Sequence, residues 1–179
     1  AIADMKNAYA DKASSDEQRA EALTALKSTA NYSAAPTLLE AGKAGDESAL
    51  TAYVGLVSAN ERNIDSRCRK LAEAMQVAKS AGTKKAALSA LANAPTQRAF
   101  NVVGQYLDDK DVAYEAAVAE KTIAGKCVDD LDYEVMTANL NKAIQLYQAH
   151  GTADDGYAVD EIKKKLAEAE PSPVYVLTP

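Results

Sequence analysis

One stretch of this chain is written twice. "EALTALKSTANYSAAPTLLEAGKAGDESALTAYV" begins at Glu21, and "AALSALANAPTQRAFNVVGQYLDDKDVAYEAAV" begins at Ala86 with the same layout. Ala22-Leu23 and Ala25-Leu26 correspond to Ala87-Leu88 and Ala90-Leu91, an offset of about 65 residues. After a one-residue slip, Leu38 and Leu39 correspond to Val102 and Val103, and Leu50 and Val54 to Glu115 and Ala119. Further along, "AMQVAKSAGT" from Ala74 and "AIQLYQAHGT" from Ala143 share A-x-Q-x-x-x-x-x-G-T. Self-similarity at such a period marks stacked supersecondary units, each burying a face that its neighbour exposes. The expected fold is all-α: an α-α superhelix of two four-helix units, 16–82 and 83–151. A C-terminal helix at 157–170 and a linker at 171–179 follow.

Helical periodicity supports this class. Ala22, Leu23, Leu26 and Ala30 share a face, with Asp16 as expected N-cap and Asn31-Tyr32 as the end. Leu50, Tyr53, Val54 and Val57 have the i, i+3, i+4, i+7 spacing of a buried stripe. Cys68, Leu71, Met75 and Ala78 form another, and Gly82 is the expected C′ glycine of that helix. Much of the 47% apolar content is Ala, the best helix former. Eight Gly and five Pro are too few for the frequent turns of an all-β chain.

The net charge of −6, with Lys and Arg scattered among acids, argues against nucleic acid and an anionic membrane surface as partners. The longest apolar run, "ALTAYVGLVSA", is well short of the ~20 residues of a membrane span, so membrane insertion is not expected. "AIADMKNAYADK" lacks a charged start followed by an apolar block and reads as a mature end or a fragment boundary. Cys68 and Cys127 belong to no C-x-x-C pair, and one His cannot complete a zinc site with them. They read as buried free thiols on helix faces or as one disulfide. Neither a metal nor a cofactor is called for.

"KKAALSALANAPTQRAFNVVGQYLDDKDVAYEAAVAEKTIA" resembles a HEAT repeat of the short, Ala-rich bacterial type. It has a first helix, a turn at Pro95, a second helix, and the acidic turn "LDDKDV". The resemblance implies that Asp108, Asp109 and Asp111 close one helix and start the next. Residues 20–60 match more loosely, with Pro36 displaced. At the other end, Leu177-Thr178-Pro179 in "EPSPVYVLTP" resembles the linker before a 3-keto-disaccharide hydrolase (DUF1080) domain. That second resemblance implies an accessory domain of an exported, glycoside-acting hydrolase whose active site lies elsewhere. Carbohydrate would then be met only through a neighbouring domain, in a periplasmic or extracellular setting; an intracellular scaffold is the alternative.

No catalytic residue is expected. His150, the single His, precedes Gly151 at a helix end, where a cation favours the dipole, and no Ser or Cys nucleophile motif accompanies it. The acidic clusters at 108–111, 129–132 and 154–161 lack the EF-hand order and read as helix caps. Tyr53 and Tyr147 sit on apolar stripes and are expected in the core, whereas Tyr106 and Tyr114 flank the acidic turn as surface contacts. Arg98, Asn101 and Gln105, at i, i+3 and i+7, place polar groups along one helix side. These five residues are the candidate binding face. The expected role is a non-catalytic scaffold that binds a protein partner or a neighbouring domain of the same chain.

Overall fold

The computed structural model describes residues 1–169. The linker expected at 171–179, including Leu177-Thr178-Pro179, lies outside the described residues. Within them the chain is all-α, with ten α-helices, two short 3-10 turns and no strand. None of these helices is long and apolar enough to cross a membrane. The chain divides into two compact units, one ending at Ala94 and the other starting at Pro95.

The first unit contains α1 (Ile2–Ala10), α2 (Asp16–Lys27), α3 (Ala35–Lys43), α4 (Glu47–Asn60), α5 (Ile64–Val77) and α6 (Ala81–Ala92). The central helix is α4, which packs against α2, α3, α5 and α6. Its stripe of Leu50, Tyr53, Val54 and Val57 is buried, as the spacing predicts, together with Leu26, Leu38, Leu71 and Leu88. Each such leucine contributes roughly 1.5–3 kcal/mol of transfer free energy. By contrast α1 buries no residue and leans on α2.

Polar side chains start most of these helices. Ser15, one residue before the expected Asp16, caps α2 in a reciprocal box with Gln18; Asp46 caps α4, and Asn63 caps α5. The first of these helices stops at Lys27, short of Asn31. The end of α5 also differs from expectation. It stops at Val77, and Ser80 caps α6, so Gly82 lies in the first turn of the next helix rather than at a C′ position. The cause is long-range. Glu47, on the first turn of α4, accepts hydrogen bonds from the Lys79 and Ser80 amides (2.7 and 3.2 Å) and the Thr83 hydroxyl (2.9 Å). That carboxylate fixes where α6 begins.

The second unit contains α7 (Gln97–Gly104), α8 (Ala113–Cys127), α9 (Tyr133–His150) and α10 (Ala153–Ala169). Here α8 is central, packed against α7, α9 and α10 around Phe100, Ile123, Met136, Leu140 and Ile162. Within each unit one short helix meets a central helix, and two more close on it: α3–α6 in the first, α7–α10 in the second. The acidic turn behaves differently from the expected cap. The residue before α8, Val112, is fully buried and provides no side-chain cap. Asp109 instead closes its own turn on the Asp111 amide (3.0 Å), and Asp108 pairs with Lys142 (2.6 Å). Asp132 does cap α9 through the Val135 amide.

No disulfide joins Cys68 and Cys127. Cys68 is fully buried, whereas Cys127 is half-buried, its thiol donating to the Ile123 carbonyl.

Candidate functional site

The predicted face divides into two. Arg98 and Asn101 on α7, and Gln105 just after its last residue, are all exposed, while Ala99, Phe100 and Val103 between them are buried. This is the amphipathic period of a surface helix, rooted by the one Phe of the chain. Thr96 caps the helix on the Ala99 amide at 3.1 Å. Gln97 braces the start of the ridge. Its amide donates to Asn101 Oδ1 (2.6 Å) and its carbonyl accepts from the Asp132 amide (2.5 Å), joining α7 to the start of α9. Tyr106 lies half-buried in the turn after α7.

Tyr114 turns to another cluster, where α8 meets the α9–α10 junction. Its hydroxyl donates to Asp155 Oδ1 at 2.7 Å, and its ring stacks on the His150 imidazole, with centroids 3.9 Å apart. Tyr147 approaches the Tyr114 ring edge-on at 5.5 Å. The second carboxylate oxygen of Asp155 takes the Thr152 amide (2.8 Å), the Thr152 hydroxyl (2.7 Å) and His150 Nδ1 (2.7 Å). An ionised carboxylate only accepts, so His150 Nδ1 carries the hydrogen of that bond. Thr152 Oγ1 accepts in turn from the Asp155 amide, completing a capping box that opens α10. Gly151, at φ +77°, supplies the left-handed C-cap that lets α9 end and α10 begin two residues later.

The electrostatics follow from these bonds. Burial pushes the Asp155 carboxyl up, but the donors Tyr114, Thr152 and His150 outweigh it and hold the acid well below the usual carboxylate range. The same hydrogen bond to Asp155, with burial, pushes the Tyr114 phenol up to about 12. Tyr147, in the core as expected, is also raised, first by burial and then by the neighbouring Tyr114 and Asp155. His150 is thus more than a residue at a helix end: it is held by a buried carboxylate in a clasp that joins three helices. The Thr152-x-x-Asp155 spacing signals the capping box; nothing local signals that Tyr114 and His150 share its carboxylate.

The other notable group of this unit is Glu120. It is fully buried on α8, with Oε1 accepting from Asn139 Nδ2 at 3.2 Å and Oε2 without a hydrogen-bond partner. Burial, only partly offset by Asn139, pushes its carboxyl up to about 9, so it is protonated at neutral pH. Among the described residues no group of His, Cys, Asp and Glu has the arrangement of a metal site. No protein-family model, curated protein or solved structure matches the chain.

Proposed function

We propose that this chain is a non-catalytic, HEAT-like helical-repeat scaffold whose α7 ridge binds a protein partner or a neighbouring domain of the same chain. The observation that carries the reading is the α7 face itself. Arg98, Asn101 and Gln105 are exposed in a row, on and just after a short helix held in place by buried Phe100 and Val103. A polar row on a formed helix needs no backbone ordering on binding, so the entropic cost falls on its side chains alone, and recognition rests on shape and scattered hydrogen bonds. The repeated order of short, central and closing helices supports the solenoid reading, since stacked units create extended binding surfaces.

The test is a photo-crosslinking residue at Asn101, compared with the same residue at exposed Lys85 on α6. A single protein species crosslinked at 101 and absent at 85 is the expected result. The triple variant Arg98→Ala, Asn101→Ala, Gln105→Ala should lose that species while its stability changes by no more than about 1.5 kcal/mol, about 0.5 for each surface position. Equal labelling at both positions, or a triple variant that captures the same protein, would overturn the assignment.

A further inference from the structure

The first turns of α10 and the end of α9 border an open hollow of about 530 Å³, lined by Tyr147, Thr152, Asp155, Gly156, Tyr157 and Asp160 among others. A volume of that size suits a small ligand. Three features of the wall give it a chemical preference. Tyr157 leaves 73% of its surface in solvent, far more than the other exposed large apolar side chains of the described residues. Asp160 follows it at i+3, so its carboxylate stands one turn along the same helix face. Gly156, beside the ring, has no atom within 4 Å of where a Cβ would lie. Packing therefore does not require glycine there, although it costs a helix about 1 kcal/mol relative to alanine. The missing side chain leaves that part of the lining, one turn before Asp160, bare.

The lining carries Asp155 and Asp160 and not one Lys or Arg. Asp155 is already engaged by Tyr114, Thr152 and His150, which leaves exposed Asp160 as the charge available to an incoming group. An exposed aromatic face beside a carboxylate attracts an organic cation, through the ring quadrupole on one side and Coulomb attraction on the other. An anion would meet two carboxylates.

We propose that this hollow binds an organic cation, an alkylammonium or guanidinium group, seated on Tyr157 and paired with Asp160. The group belongs either to a free small amine or to a Lys or Arg side chain of a polypeptide. The site is separate from the α7 ridge, and its failure would leave the scaffold reading standing.

The experiment follows the Tyr157 ring resonances by NMR in the full chain, titrated with tetramethylammonium chloride and separately with a blocked Gly-Arg-Gly peptide, against sodium chloride at matched ionic strength. A saturable shift with either probe and none with sodium is expected; the tighter probe identifies the source of the cation. Asp160→Asn should weaken binding roughly threefold, the range of an exposed ion pair, and Asp160→Glu should restore it. Tyr157→Leu, followed through backbone amides 156–160, should weaken it roughly fivefold. Asp160 and Tyr157 are exposed, so circular dichroism should be unchanged in each variant. A linear response to both probes indistinguishable from sodium, or binding that survives both substitutions, would overturn the proposal.

Discussion

Asn139 on α9 reaches Glu120 on α8 through the space that a side chain on Gly104 would fill. The Asn139 amide nitrogen donates to Glu120 Oε1 at 3.2 Å, and a Cβ built on Gly104 would lie 2.3 Å from that nitrogen. The glycine at the end of α7 is thus a matter of space, since its backbone needs no left-handed angle. Gly104→Ala should push Asn139 away and strip Glu120 of its one partner, costing about 2 kcal/mol. Gly125 offers the control: it lies within α8 with no atom within 4 Å of a Cβ position. Gly125→Ala should stabilise by up to about 1 kcal/mol. Urea denaturation of the two variants would check the opposite signs; equal effects would contradict the geometry.

Glu120 gives the second unit an alkaline weakness. Its carboxyl sits near 9 in the fold against 4.5 in the unfolded chain, because burial disfavours the charge. A raised folded value means that the native state holds the proton more tightly. The associated stability is complete below about pH 4.5 and is lost as pH rises towards 9. Glu120→Gln keeps the shape without the titration. The variant should therefore gain on the parent steadily from acid to alkaline pH, measured as the difference in denaturation midpoint. Parallel pH profiles for the two proteins would rule this out.

The first unit carries the opposite dependence. Glu61 accepts from Lys70, from the Ser66 hydroxyl (3.0 Å) and from the Tyr32 hydroxyl (3.1 Å), while Lys70 also donates to Tyr32 at 2.8 Å. These bonds, Lys70 first, hold the Glu61 carboxyl down at about 2. A depressed acid contributes stability above its unfolded value of 4.5 and loses it as pH falls through about 2. Lys70, raised to about 12 chiefly by Glu61, keeps its share up to its unfolded 10.5 and loses it above. Hydrogen exchange should therefore show α5 opening in acid while α8 is still protected. Tyr32→Phe should move that opening to higher pH, since Glu61 loses a donor.

The helices and their cores were legible because periodicity is local: the stripes of α4 and α5, and buried Tyr53 and Tyr147, follow from spacing alone. The exposed row Arg98, Asn101 and Gln105 follows in the same way. What the sequence concealed is non-local. The start of α6 is set by Glu47, more than thirty residues upstream, which is why a Gly-Thr pair that ends α9 falls inside α6 instead. Nothing in the sequence singles out Glu120, which lies in an Ala-rich helix and is fully buried where α8 packs against α7 and α9. The partnership of Tyr114 with Asp155 spans 41 residues and two helices, so no window along the chain contains it.

That partnership is open to a double-mutant cycle. Tyr114→Phe keeps the ring that stacks on His150 and removes only the hydroxyl that donates to Asp155. The loss should be about 1 kcal/mol, typical of a single hydrogen bond. His150→Ala removes the stacking partner and another donor to the same carboxylate. Because both substitutions act on Asp155, their effects should depart from additivity by roughly 0.5 kcal/mol or more. The pH dependence has a defined sign as well. With a donor gone, Asp155 is held down less strongly, so the acid limb of the unfolding curve should shift to higher pH in Tyr114→Phe. Additive losses with an unshifted acid limb would mean that the tyrosine and the histidine pack there without sharing the charge.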